Sequence, residues 1–186
     1  MRRFTSSIRR AVAAFLLTVG ISIPLPAFAD DLQALFDRLQ SVDAADYQPI
    51  EEKIWREWSK SGSPAMDLLL KRGEDAMESD DWEKAIEHLT ALTDHAPGFA
   101  QGFHARATAY YNVGKYGPAL EDLRSALALE PRHFGAMSGL ATIFEELGLE
   151  EEALEVYYEV RAIHPHRENL STAIERLEKK TAGRAI

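Results

Sequence analysis

Two histidines flank a proline at His164-Pro165-His166, the closest approach in this sequence to a metal-ligand pair. A metal site needs several converging ligands, and no third one stands nearby in sequence. The pair is therefore expected to be a surface turn, and His133, beside Arg132, another turn residue of the same kind. The acidic run Glu150-Glu151-Glu152 suits a helix start, where the dipole favours negative charge, whereas Glu145 and Glu146 would close a helix against it. There is no histidine pair with zinc-protease spacing, no nucleophile elbow, no phosphate loop and no calcium loop. Without cysteine, disulfides, thiolate metal sites and thiol nucleophiles are excluded. The expectation is a protein without catalytic residues, metal or cofactor.

Charge narrows the partners. The whole chain carries a net charge of −9, and Arg2, Arg3, Arg9 and Arg10 are the only charges in its first 29 residues, so the remainder is more acidic still. Such a body repels phosphate backbones, which argues against nucleic acid.

The start of the chain has the order of a secretory signal: a basic stretch from Met1 to Arg10, an apolar run from Ala11 to Ile23, Pro24 and Pro26, then Ala27-Phe28-Ala29 with small residues where a signal peptidase reads. Residues 1–29 are expected to be removed between Ala29 and Asp30. The apolar run falls short of the roughly 20 residues that a spanning helix needs, although retention as an anchor stays open. The paired arginines match twin-arginine export poorly, so the general secretory route and a periplasmic location are expected, with no membrane span after cleavage.

The elements that would position a site come from an internal repeat. Pro97, Pro131 and Pro165 lie 34 residues apart. The same period links Gly73, Ala107 and Ala141; Ala85, Ala119 and Ala153; Ala76, Tyr110 and Phe144; Leu89, Leu123 and Tyr157; and Leu92, Ala126 and Val160. Each unit reads as two helices. The first helices are expected near Pro64–Glu78, Phe99–Val113 and Phe134–Leu147, the second near Trp82–Asp94, Tyr116–Leu129 and Glu150–Ile163. Small residues recurring on both helices allow close approach of their axes, and each proline stops the second helix. Gly114 and Gly148 can take the left-handed conformation that ends a helix, with Asp80 at the equivalent place and Asp81 as a cap. Ser63-Pro64 reads as a capping serine before a first-turn proline.

These columns resemble the tetratricopeptide repeat family, with small residues at the eighth and twentieth positions and proline at the thirty-second. The match spans about residues 66–165, as units 66–99, 100–133 and 134–167. Ala91–Pro97 and Ala105–Tyr111 also resemble alphaproteobacterial periplasmic members. The departures are at the fourth position, which holds Leu69, Phe103 and Met137 in place of tryptophan, and the seventh, which holds Arg72, Arg106 and Leu140. The resemblance implies an all-α, right-handed superhelical array of helix-turn-helix pairs. It also implies that the first helices line a concave groove, to which Asp67, Lys71, Glu74, Gln101, His104, Thr108, Tyr111, Asn112, Ser138, Thr142 and Glu145 would point. Gly135 and Gly139 would leave room for a ligand backbone. Members that grip chaperone carboxylate tails use lysine, asparagine and arginine where this chain has Leu70, Glu74, Ala105, Gly135 and Gly139, so that clamp is not expected.

The ends need covers, because an array exposes apolar faces at both. Glu168–Lys180 supplies Leu170, Ile174 and Leu177 at helical spacing, a capping helix within residues 166–186. Residues 30–62 read as a helical hairpin covering the first repeat: Asp31–Val42 carries Leu32, Leu35, Phe36 and Leu39 on one stripe. A second helix from about Asp46, with Pro49 in its first turn, presents Ile50, Ile54, Trp55 and Trp58. The function expected from these features is an exported scaffold that binds a protein or extended peptide in its groove. The alternatives are a self-associating structural protein that uses the hairpin with Trp55 and Trp58 or its convex face and, more remotely, an envelope hydrolase.

Overall fold

The computed structural model describes residues 27–183, with side chains from Leu32 onward. The signal segment expected at the start lies outside them, apart from Ala27–Ala29, which open the first helix. Among the described residues there are nine helices and no strand: α1 Ala27–Ser41, α2 Gln48–Trp58, α3 Pro64–Glu78, α4 Trp82–His95, α5 Ala100–Asn112, α6 Tyr116–Leu129, α7 Phe134–Glu146, α8 Glu150–Ile163 and α9 Leu170–Ala182.

Local chemistry sets these boundaries. Asp80, Gly114 and Gly148 all have positive φ, so each first helix ends in the same left-handed turn, with aspartate in the first repeat and glycine in the second and third. The Asp81 side chain accepts a bond from Lys84 N–H and caps α4. Ser63 takes the extended conformation before Pro64 but its hydroxyl makes no cap bond; the nearby Asp67 carboxylate instead accepts from the Ser61 backbone and hydroxyl. After each second helix the chain closes a proline turn, Phe99 N–H to Ala96, His133 N–H to Glu130 and Arg167 N–H to His164. The capping helix starts at Leu170 and not at Glu168, because Asn169 adopts a left-handed conformation that a helix interior excludes.

Successive helices pack pairwise from α3 to α9, and the first helices also touch one another, α3 with α5 and α5 with α7. The small columns are buried at the contacts: Ala85, Ala119, Ala141 and Ala153 have no exposure. A Cβ on Gly73 would lie 2.5 Å from Leu89 Cγ, inside van der Waals contact, so the present approach of α3 to α4 depends on glycine there unless Leu89 shifts. The seventh position of the middle unit carries a device of its own. Arg106 grips the buried Asp122 of α6 through two bonds of 2.7 Å, and that pairing holds the guanidinium above its usual pKa. The fold is the right-handed superhelical array that the repeat implied.

The hairpin departs from expectation. Phe36, Leu39, Ile50, Ile54 and Trp58 form one core with Phe134, Met137, Tyr157, Val160 and the α9 residues Leu170, Ile174 and Leu177. None of them joins the core between α3, α4 and α5. The hairpin thus covers the third repeat, not the first. Gln40 Nε2 donates to the Ala162 carbonyl at the end of α8, and Arg132 sits 4.1 Å over the Phe36 ring while donating to Gln33. The outer end of the first repeat tolerates this, since it presents Arg72, Asp75, Lys84 and His88 around a shallow surface, with Leu68 half exposed.

Candidate functional site

Helices α3, α5 and α7 lie side by side and bring their inner faces into one concave surface. Within it, the expected groove residues divide. His104, Thr108, Tyr111, Ser138 and Thr142 meet around a cleft of about 220 Å³ between α5 and α7, closed below by Ala107, Leu123 and Ile143 and flanked by Gly135 and Gly139. Three of these hydroxyls are oriented by their own helices: Thr108 Oγ1 donates to the His104 carbonyl, Ser138 Oγ to Phe134 and Thr142 Oγ1 to Ser138. Their acceptor lone pairs remain available to a ligand N–H. Tyr111 packs against Tyr116 at 5.7 Å, and burial, then Glu146, raises its phenol pKa.

The other residues serve elsewhere. Asp67 is held by Ser61, Lys71 pairs along its own helix with Asp75, and Asn112 bonds back to the Thr108 carbonyl. Glu145 is drawn away from the groove, accepting from Tyr157 and pairing with Arg176 of α9. Gln101 is buried and bonded to His133. Burial raises the Glu74 carboxyl of α3 above its usual value, with Gln101 acting in the opposite sense.

The space at Gly135 is already taken. A Cβ there would collide with the Trp55 indole of α2, which also lies 5.6 Å from the His104 ring and 5.4 Å from Phe134. Trp58 stacks on His133 at 4.1 Å and 11°. Both indoles offered as an exposed surface for self-association therefore turn inward, because the apolar stripe of α2 faces the array. For the same reason His133 and His164 are fully buried and are not surface-turn residues: the proline turns that carry them lie beneath the hairpin.

His133 has a defined role. Its Nδ1 accepts from Ala136 N–H at 3.1 Å and caps α7, so the ring proton is on Nε2 and is donated to Gln101 Oε1 at 3.0 Å. Burial, followed by the neighbouring His104, pushes its pKa down to about 2. Burial and then Arg167 push His104 down to about 4; some of the residue stays exposed, but its Nδ1 is shut off from water without a partner. Glu51 of α2 closes the seam. Burial alone would raise its carboxyl, yet His164, Arg167 and the Trp55 indole together hold it below the usual value. Arg167 Nη1 lies 2.9 Å from Glu51 Oε1, with the guanidinium 5.1 Å above Phe134 and bordering the cleft. His164 Nε2 is 3.4 Å from Glu51 Oε2 but is not directed at it as a hydrogen bond. Among the described residues no group of three or more histidine, aspartate or glutamate side chains is placed to hold a metal ion.

Sequence reasoning missed Arg167 and Glu51, and it placed Trp55 against the first repeat and not the third. Arg167 follows Phe99 and His133 at the repeat period, the one available signal that it closes the third turn.

The concave architecture has counterparts among known proteins. The model of the tetratricopeptide repeat family matches residues 104–168. A TPR repeat-containing protein of Rhizobium etli is 30% identical over 153 residues, which cover 82% of this chain and 75% of that protein. The small glutamine-rich tetratricopeptide repeat-containing protein 2 of Saccharomyces cerevisiae is 31% identical over 115 residues, 62% of this chain but only 33% of its own length. In fold, the first TPR domain of Spaghetti (RPAP3) bound to an HSP90 peptide superposes with a TM-score of 0.62 at 23% identity, covering 64% of this chain and 95% of that one. The MamA protein superposes at 0.59 and 18% identity, covering 83% of each chain. Taken with the Rhizobium relative, the repeat columns and their packing establish that the chain belongs to the tetratricopeptide repeat family.

Proposed function

We propose that this protein is a non-catalytic scaffold, exported to the bacterial envelope, that holds an extended segment of a partner protein in the cleft between α5 and α7. The observation that carries this is the cleft itself: oriented hydroxyls at Thr108, Ser138 and Thr142, an aromatic wall at Tyr111 and a side-chain-free floor at Gly139 suit a peptide backbone, with Arg167 at one edge. The RPAP3 domain of the same fold is bound to an HSP90 peptide, which supports a peptide as the class of ligand. Export rests on the order of basic, apolar and small residues before Asp30.

Recovery of partners from envelope extracts by the wild type and by Tyr111→Ala plus Thr142→Val tests the groove. Loss of a specific partner with the variant is expected, and equal recovery of every partner overturns groove binding. Amino-terminal sequencing of the protein isolated from the envelope tests export: a start at Asp30 is expected, and an intact Met1 in the cytoplasm overturns it.

A further inference from the structure

The seam between the hairpin and the concave face is unusual in its polar content. Among the described residues, the buried side-chain nitrogen and oxygen atoms without a hydrogen-bond partner are Trp58 Nε1, His104 Nδ1 and both nitrogens of His164, and all of them lie in this seam. Three imidazoles are enclosed there against two indoles and Phe134. Elsewhere the array is joined by apolar packing and by partnered polar groups, among them Arg106 with Asp122 and Glu145 with Tyr157 and Arg176. We propose that the N-terminal hairpin is an acid-released cover: uptake of protons by His133 and His104 detaches α2 from the concave face and opens the slot at Gly135.

The geometry at His133 makes the neutral ring a requirement of the closed form. Its Nδ1 is an acceptor, so a proton there destroys the cap on Ala136 N–H and places a cation at the positive end of the α7 dipole. His104 has no acceptor waiting for a second proton. The facing groups do not compensate. From α2 come Trp55, Trp58 and Glu51, the last already engaged by Arg167. From α5 comes Gln101, the neutral partner of His133, with the Glu74 carboxyl of α3 on its far side. From the turn after α8 come Arg167, a fixed cation, and His164, itself beside Glu51. In the turn before α7, Arg132 is committed to Gln33 and Phe36, and Glu130 to the Arg132 backbone. The stacked indole offers a cation some attraction, but desolvation and the neighbouring cation oppose it.

The sign follows from linkage. Both imidazoles have folded pKa values below their ordinary 6.5, so the open form binds more protons and closure is complete only above that pH. As pH falls below 6.5, the closed-to-open ratio drops about tenfold per pH unit for each imidazole. That limit holds until about 4 for His104 and about 2 for His133. Glu51, whose folded pKa is lowered, acts in the same direction only once it takes up protons below 4.5.

The test uses the full chain, whose lack of cysteine permits clean double labelling. Spin labels at the exposed positions Ala34→Cys on α1 and Glu159→Cys on α8 report the hairpin-to-array distance, with far-ultraviolet circular dichroism read in parallel. Separation of the labels between pH 6.5 and 4.5, with helix content retained, is expected. His133→Asn keeps a capping oxygen but takes no proton, and should halve the pH steepness; His104→Gln provides the second arm and should do the same. Labels that separate only as the helices melt overturn the proposal, as do both variants releasing with the midpoint and steepness of the wild type. No partner is needed, so this outcome is independent of the groove-binding test.

Discussion

The Trp55 indole occupies the volume that a side chain on Gly135 would fill. Gly139, one turn along α7, has no such neighbour: a Cβ there would meet Leu123 Cδ2 at an ordinary 3.4 Å. Gly139→Ala is therefore expected to stabilise the fold by about 0.5–1 kcal/mol through helix propensity. Gly135→Ala is expected to destabilise it by about 1–3 kcal/mol, because a rigid ring must move. Urea denaturation of the two variants gives shifts of opposite sign; shifts of the same sign would place Trp55 elsewhere.

The contact of α3 with α4 predicts a coupled pair. Gly73→Ala drives a methyl into Leu89 and should cost about 1–3 kcal/mol, while Leu89→Ala leaves a cavity and should cost about 2–5 kcal/mol. In the double variant the new methyl enters the vacated space, so it should be more stable than the two separate losses added together. A double-mutant cycle by thermal unfolding measures this, and strict additivity would exclude the contact.

Asp122→Ala strands Arg106 between α5 and α6. Removing one partner of such an enclosed pair is expected to cost about 3–5 kcal/mol. Asp122→Asn, which can still accept from the guanidinium, should cost less. Equal losses for the two, read from urea midpoints, would mean that the charge and not the hydrogen bonding holds the helices.

Glu74 gives a pH-dependent prediction. Its folded pKa is raised above 4.5, so ionisation opposes folding and the loss develops as pH climbs from 4.5 through the folded value. Glu74→Gln is expected to raise the urea midpoint at pH 7 and to lose that advantage below pH 4.5. An advantage that is constant with pH would assign the gain to something other than the charge.

The array was legible in the sequence because each repeat contact joins residues close in the chain and repeats at a fixed interval. Gly73, Ala107 and Ala141 signal tight packing by type and period alone, and Asp80, Gly114 and Gly148 mark the turns. The cleft was legible in part: His104, Thr108, Tyr111, Ser138 and Thr142 come together as the family resemblance implied. Gln101 and Glu145 could not be assigned, since their surroundings are set by His133 and Arg176, which the period does not govern. The apolar stripe of α2 announced that Trp55 and Trp58 would be covered but carried no address, so the choice of third repeat over first had to come from shape and from the polar end at Arg72 and Asp75.

The hairpin is the earliest described part of the chain to be synthesised and among the last able to find its place. Glu51 meets Arg167 across 116 positions, and Gln40 meets Ala162 across 122. The repeats between can assemble from neighbours as they emerge, whereas α1 and α2 must wait for α8 and the turn beyond it, a large loop whose closure is entropically slow. A ribosome-bound chain would carry these two amphipathic helices unsheltered, with Phe36, Ile54 and Trp58 open to chaperones throughout. A nascent chain halted before residue 160 should thus have formed repeats and a protease-sensitive front end.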